Sequence, residues 1–467
     1  MKSKILLVLT AFVFLWSCQP NPVVPETEKI HYLKSFTISV DNNGDKGMKE
    51  NPLIVHIGGN IFVTVNEGTD ITKLVPTLVS GDDVNFFINN QPVVSDVTEV
   101  DFSETANLVL QSPEGEMAYT ILLKTGNKRI DAQVYNIMAT HGIPGISVSA
   151  TKDEKLVYSY GYGFANEETK ERVTPKHLFR LASMTKSQTA LCIMTLMERG
   201  KLNITDRMFG AGGWFEKEFG TDIVSGADQI TIQNFLEHTS GWSDEHIFTS
   251  SYGLGGKDVM ERMNHILHTI PLDNPPGTKY EYYNMGYGIL GELVEKISGK
   301  DYETFLREDV YAKAGVKDIW VGGDRNHRRP NEVIYYSQDG RNGYGNDMDL
   351  IKSLGGLIAS TDELMQVMAS IDYGTDVPDI LKPSTLDVMY TPSEVGKHQY
   401  SLGWRTNHSL FTSWENYHGG TLAGTGTLWA RDKDSHTAAV VLCNSRSYIG
   451  GFDNSLYDLL NIVMTNI

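Results

Sequence analysis

Ser183-Met184-Thr185-Lys186 heads the apolar run Ala190-Leu191-Cys192-Ile193-Met194-Thr195-Leu196-Met197, and the reading of this stretch decides the fold. Residues three apart on a helix share a face, so the Ser183 hydroxyl and the Lys186 amine meet one turn apart. A serine hydroxyl is a weak nucleophile until a neighbouring base takes its proton. A lysine is that base only when burial lowers its pKa from about 10.4 toward neutrality. A drop of ~3 units costs roughly 4 kcal/mol, so the pattern demands a dry, shaped site. The spacing predicts a helix over Met184–Met197 that stops at Gly200, apolar on most sides and therefore buried. Ser183 at its head is equally suited to capping that helix. Both roles fit one position, because the free N–H groups and partial positive charge of a helix start also favour an oxyanion.

Two further segments carry groups that complement this pair. In Pro276-Gly277-Thr278-Lys279-Tyr280-Glu281-Tyr282-Tyr283-Asn284 the Pro-Gly step makes a turn, and Tyr282 and Asn284 face the same way on an extended segment. A phenol shuttles a proton when a cation lies nearby, and a carboxamide both donates and accepts. The same crowding of tyrosines also describes a plain packing loop. In His418-Gly419-Gly420-Thr421 the two glycines admit a close backbone, as an edge strand holding an extended substrate requires. There the N–H of Thr421 is positioned as a second oxyanion donor, whose loss typically costs ~10²–10³ in rate.

Bulk composition narrows the classes. The 467 residues exceed one small domain, and 40% hydrophobic with 21% charged content is ordinary for a globular protein. A net charge of −18 without a basic stripe argues against nucleic acid as partner. At the start, Lys2 and Lys4 precede the apolar run Ile5 to Trp16, too short to span a bilayer and right for a signal sequence. Pro20, Pro22 and Pro25 stiffen the segment after Cys18 into a tether of roughly 35 Å. Cys192 and Cys443 read as small core residues, and no metal-binding cysteine spacing occurs.

Between Tyr32 and Leu123 the chain reads as short strands with turn signals, including a hairpin across Ser112-Pro113-Glu114-Gly115, which predicts an antiparallel β-sandwich over 31–126. Asp41, Asn42, Asn43 and Asp45 read as a polar turn rather than a calcium loop, the closing glutamate being missing. Beyond Gly126 the pattern changes. A helix is expected over Ile130 to Thr140, paired strands at Gly145–Ala150 and Leu156–Tyr160, a second pair at Thr427–Ala430 and Ala438–Leu442, and a closing amphipathic helix from Tyr457 to Met464. Strands at both ends with helices between imply an α+β domain over 129–467, its antiparallel sheet assembled from distant segments and flanked by helices, with a helical insertion.

Taken together, the three segments resemble the penicillin-recognising serine hydrolases, which include class C β-lactamases, serine D-alanyl-D-alanine peptidases, D-aminopeptidases and β-lactamase-like esterases. That family carries Ser-x-x-Lys, Tyr-x-Asn and Lys/His-x-Gly in this order, here Ser183/Lys186, Tyr282/Asn284 and His418/Gly420. Leu236-Glu237-His238-Thr239-Ser240-Gly241 and Gly355-Gly356-Leu357-Ile358-Ala359-Ser360-Thr361-Asp362-Glu363-Leu364 match supporting segments of the family. The resemblance implies an acyl-enzyme on Ser183, with Lys186 and Tyr282 sharing the base role in either order. It implies that Asn284 orients the substrate amide, that the N–H groups of Ser183 and Thr421 hold the oxyanion, and that His418, Gly420 and Thr421 bind substrate. No cofactor and no metal are expected. The substrate is a small molecule or peptide: a D-amino-acid peptide, an ester or a β-lactam. His418 stands where most β-lactamases have lysine; being mostly neutral at pH 7, it grips a carboxylate less firmly and favours a peptidase or esterase over a β-lactamase. A β-lactamase proper and a non-turnover β-lactam or peptidoglycan sensor remain the alternatives.

Two weaker resemblances concern the start of the chain. Ser17-Cys18 is similar to a bacterial lipoprotein signal, which implies removal of residues 1–18 up to a lipidated Cys18, a tether over 19–30, and an envelope protein held at the outer membrane; an ordinary secretory signal is the alternative. Glu67-Gly68-Thr69-Asp70-Ile71-Thr72-Lys73-Leu74-Val75-Pro76 is similar to immunoglobulin-like repeats of Bacteroidetes surface lipoproteins, which implies a spacer or docking module. Gly286-Tyr287-Gly288-Ile289-Leu290-Gly291 fits a dinucleotide fingerprint but lacks the strand that must precede it. His265 and His268 have metal spacing without a carboxylate partner. No G-x-S-x-G occurs, which disfavours an α/β-hydrolase.

Overall fold

The computed structural model describes residues 33–243, 258–395, 399–406, 408–411, 413–432 and 434–467. The signal segment, Cys18 and the tether lie outside the described residues. The carboxy-terminal part is built on a six-stranded antiparallel sheet in the order Glu171–Arg172, Lys155–Asn166, Gly145–Lys152, Thr437–Cys443, Thr425–Asp432, Trp414–Leu422. Strands from the two ends of this part therefore meet at its centre, with Val148 opposite Val441. Side chains alternate across a strand. Ala439, Val441 and Cys443 enter a core with helices Lys128–His141 and Phe452–Thr465, whereas Ala438, Val440 and Leu442 enter the core on the other face. Both faces are covered, so this strand is buried at every position. Its neighbour turns on Asp153 and Glu154, both at positive φ (47° and 63°), the left-handed pair that a two-residue hairpin needs.

The larger core surrounds the helix Thr185–Glu198, buried from Thr185 through Leu196. The helix Asn284–Ser298 packs beside it, and the G-x-G-x-x-G spacing lies inside that helix. A Cβ on Gly286 would sit 2.7 Å from the Phe235 ring and one on Gly291 2.3 Å from Ser353 Oγ, so these glycines serve helix packing. His265 and His268 lie on the helix Val259–Thr269, and no metal-binding group occurs among the described residues. Cys192 and Cys443 are buried free thiols.

The amino-terminal part departs from an all-antiparallel sandwich. Its six strands run Leu53–Ile57, Asn60–Val65, Gly115–Thr125, Ala106–Ser112, Asn85–Ile88, Gln91–Val93, and Asn60–Val65 pairs with Gly115–Thr125 in parallel. The chain supplies the long crossover a parallel pair needs by inserting Thr77–Val79, Asn85–Ile88, Gln91–Val93 and Ala106–Ser112 between those two. The second layer is a two-stranded ribbon, Ser35–Thr37 with Thr77–Val79, which sends Phe36 and Leu78 into the module core. Asp41–Asp45 form a short helix and turn, in which the Asn43 amide accepts from Val75 N–H and donates to its carbonyl.

This module shares a core with the rest. Phe62 and Leu122 pack with Ile130 and Tyr135 of the helix Lys128–His141. At the seam the fully buried Asp131 accepts from Thr64 Oγ1 at 2.8 Å, Lys124 Nζ at 3.0 Å and Tyr158 OH at 3.0 Å. Burial pushes the Lys124 ammonium down to about 8 even beside that carboxylate. Removing one member of such a pair leaves an uncompensated buried charge, typically a loss of about 3–5 kcal/mol.

Candidate active site

Ser183 lies in a 3₁₀ turn, Ala182–Met184, and the α-helix begins at Thr185, one residue later than the periodicity suggests. No side-chain cap bond forms at this helix start, so the capping role expected of Ser183 is not taken up. The turn is held by one main-chain bond and two threonine hydroxyls. Leu181 N–H donates to the Leu357 carbonyl (2.8 Å), Thr427 Oγ1 donates to the Leu181 carbonyl (2.9 Å), and Leu357 N–H reaches Thr185 Oγ1 (3.3 Å). Ala182, fully buried, adopts φ +49°, a conformation that costs a non-glycine residue about 1–3 kcal/mol. The result is that Ser183 alone in this turn retains exposure while its neighbours are buried.

Lys186 is fully buried, and its Nζ sits 3.3 Å from Ser183 Oγ. It donates to the Leu354 carbonyl at 2.7 Å, which fixes the amine over the serine. The same nitrogen lies 5.1 Å from the Tyr282 ring centroid and 5.7 Å from that of Tyr287. Hydroxyl, amine and phenol ring therefore converge across almost a hundred positions of sequence. Tyr282 lies in the irregular segment before the extended Tyr283, and Asn284 begins the helix Asn284–Ser298 rather than continuing an extended run, so the two do not share one strand face as the spacing suggests.

His418, Gly419, Gly420 and Thr421 lie on Trp414–Leu422, the edge strand of the large sheet. The close approach that glycine permits is made by the Ala182–Met184 turn. A Cβ on Gly420 would lie 2.4 Å from the Leu181 carbonyl oxygen and 2.9 Å from Ala182 Cβ, whereas one on Gly419 meets nothing nearer than 3.4 Å. Gly420 thus seats the strand directly against the residues before Ser183, and Thr421 follows at an exposed position.

His418 is buried with both ring nitrogens engaged. Nδ1 is 2.7 Å from the Gly419 carbonyl, which only accepts, so Nδ1 carries the proton; Nε2 then accepts from Tyr400 OH at 2.8 Å. Burial, reinforced by the Arg405 and Lys186 charges, holds this imidazole well below the ordinary histidine range. His418 is therefore a neutral support for the strand, and the cation at this end of the cleft is Arg405. Arg405 exchanges main-chain hydrogen bonds with Tyr417, its guanidinium carbon lies 5.7 Å from the Tyr282 ring, and it lines a cleft of about 280 Å³ with Gly419, Gly420, Thr421 and Tyr457. The phenols of Tyr280, Tyr400, Tyr282 and Tyr457 act on its charge; Asp453, which lines the same cleft, is paired with Arg446, and Arg405 forms no ion pair with a carboxylate among the described residues. Sequence reading passed over Arg405 because an isolated arginine carries no spacing signal, and over the Leu354 carbonyl because a carbonyl carries none at all.

Such an arrangement can deliver a serine oxygen to a carbonyl carbon, move its proton through an amine and a phenol, and present an anchored positive charge to an anion. Comparison with known proteins agrees. Residues 130–460 match the Beta-lactamase family, well over half of the 467 residues. The chain is 26% identical over 388 residues to the N-acetylmuramyl-L-alanine amidase of Bacillus subtilis, covering 74% of this chain and 87% of that protein. It is 24% identical over 336 residues to protein flp of Staphylococcus aureus, covering 70% and 64%. In fold it is similar to a class C beta-lactamase (TM-score 0.61, 19% identity, 72% and 95% covered) and to the D-alanine carboxypeptidase AmpC of Burkholderia cenocepacia (TM-score 0.58, 18% identity, 72% and 98% covered). The chain belongs to the Beta-lactamase family and is a serine hydrolase of that family.

Proposed function

We propose that this hydrolase is a D-amino-acid peptidase of carboxypeptidase type, acting on peptides that end in a free carboxylate. In this reading Ser183 Oγ bonds to the scissile carbonyl carbon while its proton passes through Lys186 and Tyr282 to the departing amine, and the C–N bond breaks. Water then repeats the sequence on the ester and frees Ser183. The N–H groups of Ser183 and Thr421 hold the oxyanion, and Asn284 orients the substrate amide. The single observation that carries the reading is Arg405, which forms no ion pair with a carboxylate among the described residues, Asp453 of the same cleft being paired with Arg446, and which lines that cleft beside Gly419–Thr421. Guanidinium and carboxylate match as a planar two-bond pair, and an ester or amide end offers no such partner. Family membership and the likeness in fold to proteins described as D-alanine carboxypeptidases add support.

The test is a pair of acyl-D-Ala-D-Ala peptides, one a free acid and one a C-terminal amide, run beside a chromogenic cephalosporin and p-nitrophenyl esters. The free acid is expected to turn over ~10²-fold faster than the amide, and Arg405→Ala to narrow that ratio, a charged hydrogen-bonded contact being worth about 1.5–3 kcal/mol. Equal rates on acid and amide, or faster turnover of the ester or cephalosporin, reject the reading. We further propose an envelope location through a lipid on Cys18, supported by Lys2, Lys4, the apolar run to Trp16 and Ser17-Cys18, with the amino-terminal immunoglobulin-like module as a spacer or docking element. Replacement of Cys18 by Ser should then release the protein from the membrane fraction.

A further inference from the structure

We infer that His238 is the positioning residue for the Tyr282 phenol: it clamps the main chain on both sides of that tyrosine and stacks on its ring. This rests on the reading of Tyr282 as part of the acyl-transfer machinery. The His238 carbonyl accepts from Glu281 N–H at 2.8 Å, and His238 Nδ1 accepts from Tyr283 N–H at 3.0 Å. The two amides flanking Tyr282 are thereby tied to one residue. The imidazole lies 4.2 Å from the Tyr282 ring, centroid to centroid, tilted by 34°, and is walled on its other sides by Tyr400 (4.6 Å) and Tyr287 (5.2 Å).

Two features mark this as more than core filling. His238 adopts φ +59°, a left-handed conformation uncommon outside glycine, though histidine enters it more readily than most side chains. Its Nε2, which carries the proton because Nδ1 accepts, is buried with no hydrogen-bond partner among the described residues. Buried polar atoms are normally satisfied, and exceptions concentrate where structure serves chemistry. A side chain chosen for packing alone would need neither the left-handed backbone nor the orphaned N–H. Burial holds the imidazole well below its ordinary range, so the ring places no positive charge beside Lys186.

The experiment measures acylation of Ser183 by a fluorescent penicillin or fluorophosphonate, a readout independent of which peptide the enzyme prefers. His238→Ala is expected to slow acylation by ~10²-fold, the usual effect of displacing a reacting group by about 1 Å. His238→Asn, which tolerates the left-handed backbone and retains an acceptor, is expected to recover most of the rate. In a Tyr282→Phe background, which lacks the hydroxyl to be positioned, His238→Ala is expected to add less than ~3-fold, since residues acting as one unit are non-additive. An equal loss in both backgrounds, or wild-type acylation by His238→Ala, overturns the inference. If His238→Ala does not fold, the same comparison is made with His238→Asn and His238→Gln, the two differing in where the acceptor falls. Equal rates for those two would likewise overturn it.

Discussion

The two sides of the site are built by different means. The serine wall is main chain on main chain: the Leu181 amide on the Leu357 carbonyl, Gly420 against Leu181 and Ala182, and the left-handed Ala182 presenting Ser183. The tyrosine wall is ring on ring: Tyr280, Tyr282, Tyr287 and Tyr400 around His238, with His418 behind. Main-chain packing leaves no room for an added atom and is indifferent to the proton. Stacked rings hold buried imidazoles in a low dielectric, so that wall answers to acidity.

The severest break is at Ser183, the proposed nucleophile. Ser183→Ala should abolish covalent labelling by fluorescent penicillin or fluorophosphonate and lower turnover by at least ~10³-fold, while leaving the melting temperature near that of the wild type. Labelling of the variant at wild-type level would remove the proposed chemistry altogether. Next comes the glycine pair. Gly420→Ala places a Cβ 2.4 Å from the Leu181 oxygen and must shift either strand or turn; overpacking of this kind costs about 1–3 kcal/mol. It is expected to reduce acylation by ~10²-fold through the displaced oxyanion donors. Gly419→Ala, with 3.4 Å of clearance, is the matched control and should stay within ~3-fold of wild type. Equal losses for the two alanines would mean that the turn is not seated by Gly420.

The tyrosine wall is probed by pH. His238 and His418 are both held well below the ordinary range by burial, so at pH 5.5 their nitrogen NMR shifts should still be those of neutral imidazole. A free histidine of pKa ~6.5 is by then about nine-tenths protonated. The sign for stability follows. Below ~6.5 the unfolded chain binds protons that the native state does not, so stability falls as pH falls, by up to about 1.4 kcal/mol per pH unit for each histidine. Asp379, pushed up to about 6 by burial, works in the opposite direction, so the informative quantity is a difference between variants. His418→Gln should flatten the acid limb of the stability curve relative to wild type, as urea unfolding at pH 6.5 and 5.5 would reveal; parallel curves would mean that His418 titrates normally. The smallest effect is expected at Ala182. Ala182→Gly relieves the positive φ at the expense of unfolded-chain entropy, and a gain of no more than about 1 kcal/mol is expected from denaturant titration. A loss of stability would show that the alanine methyl against Gly420 matters more than the strain.

Sequence made some of this legible and hid the rest for physical reasons. The continuous apolar run Ala438–Leu442 and the apolar run after Lys186 are local patterns, and the strand and helix they announce are present with each end moved by one residue. The hairpin at Ser112 is equally local. The parallel pairing of Asn60–Val65 with Gly115–Thr125 is not, because nothing within either strand states which way its distant partner runs. At the site, Ser183, Lys186 and Tyr282 were traceable through a resemblance spread over three segments. Arg405 and the clamp by His238 were not. A charge without a partner and a carbonyl that receives an amide forty-three positions later are properties of the folded chain alone.

The Asp131 seam bears on anyone who would trim this protein. A cut at Gly126, the natural place to divide it by eye, removes Lys124 and Thr64 from a carboxylate that no water reaches and strips Phe62 and Leu122 from the helix that carries it. The shortened hydrolase would begin life with an anion left to the phenols of Tyr158 and Tyr162, its cation gone, and a bare greasy flank, so poor yield from such a fragment would report on the scissors and not on the enzyme.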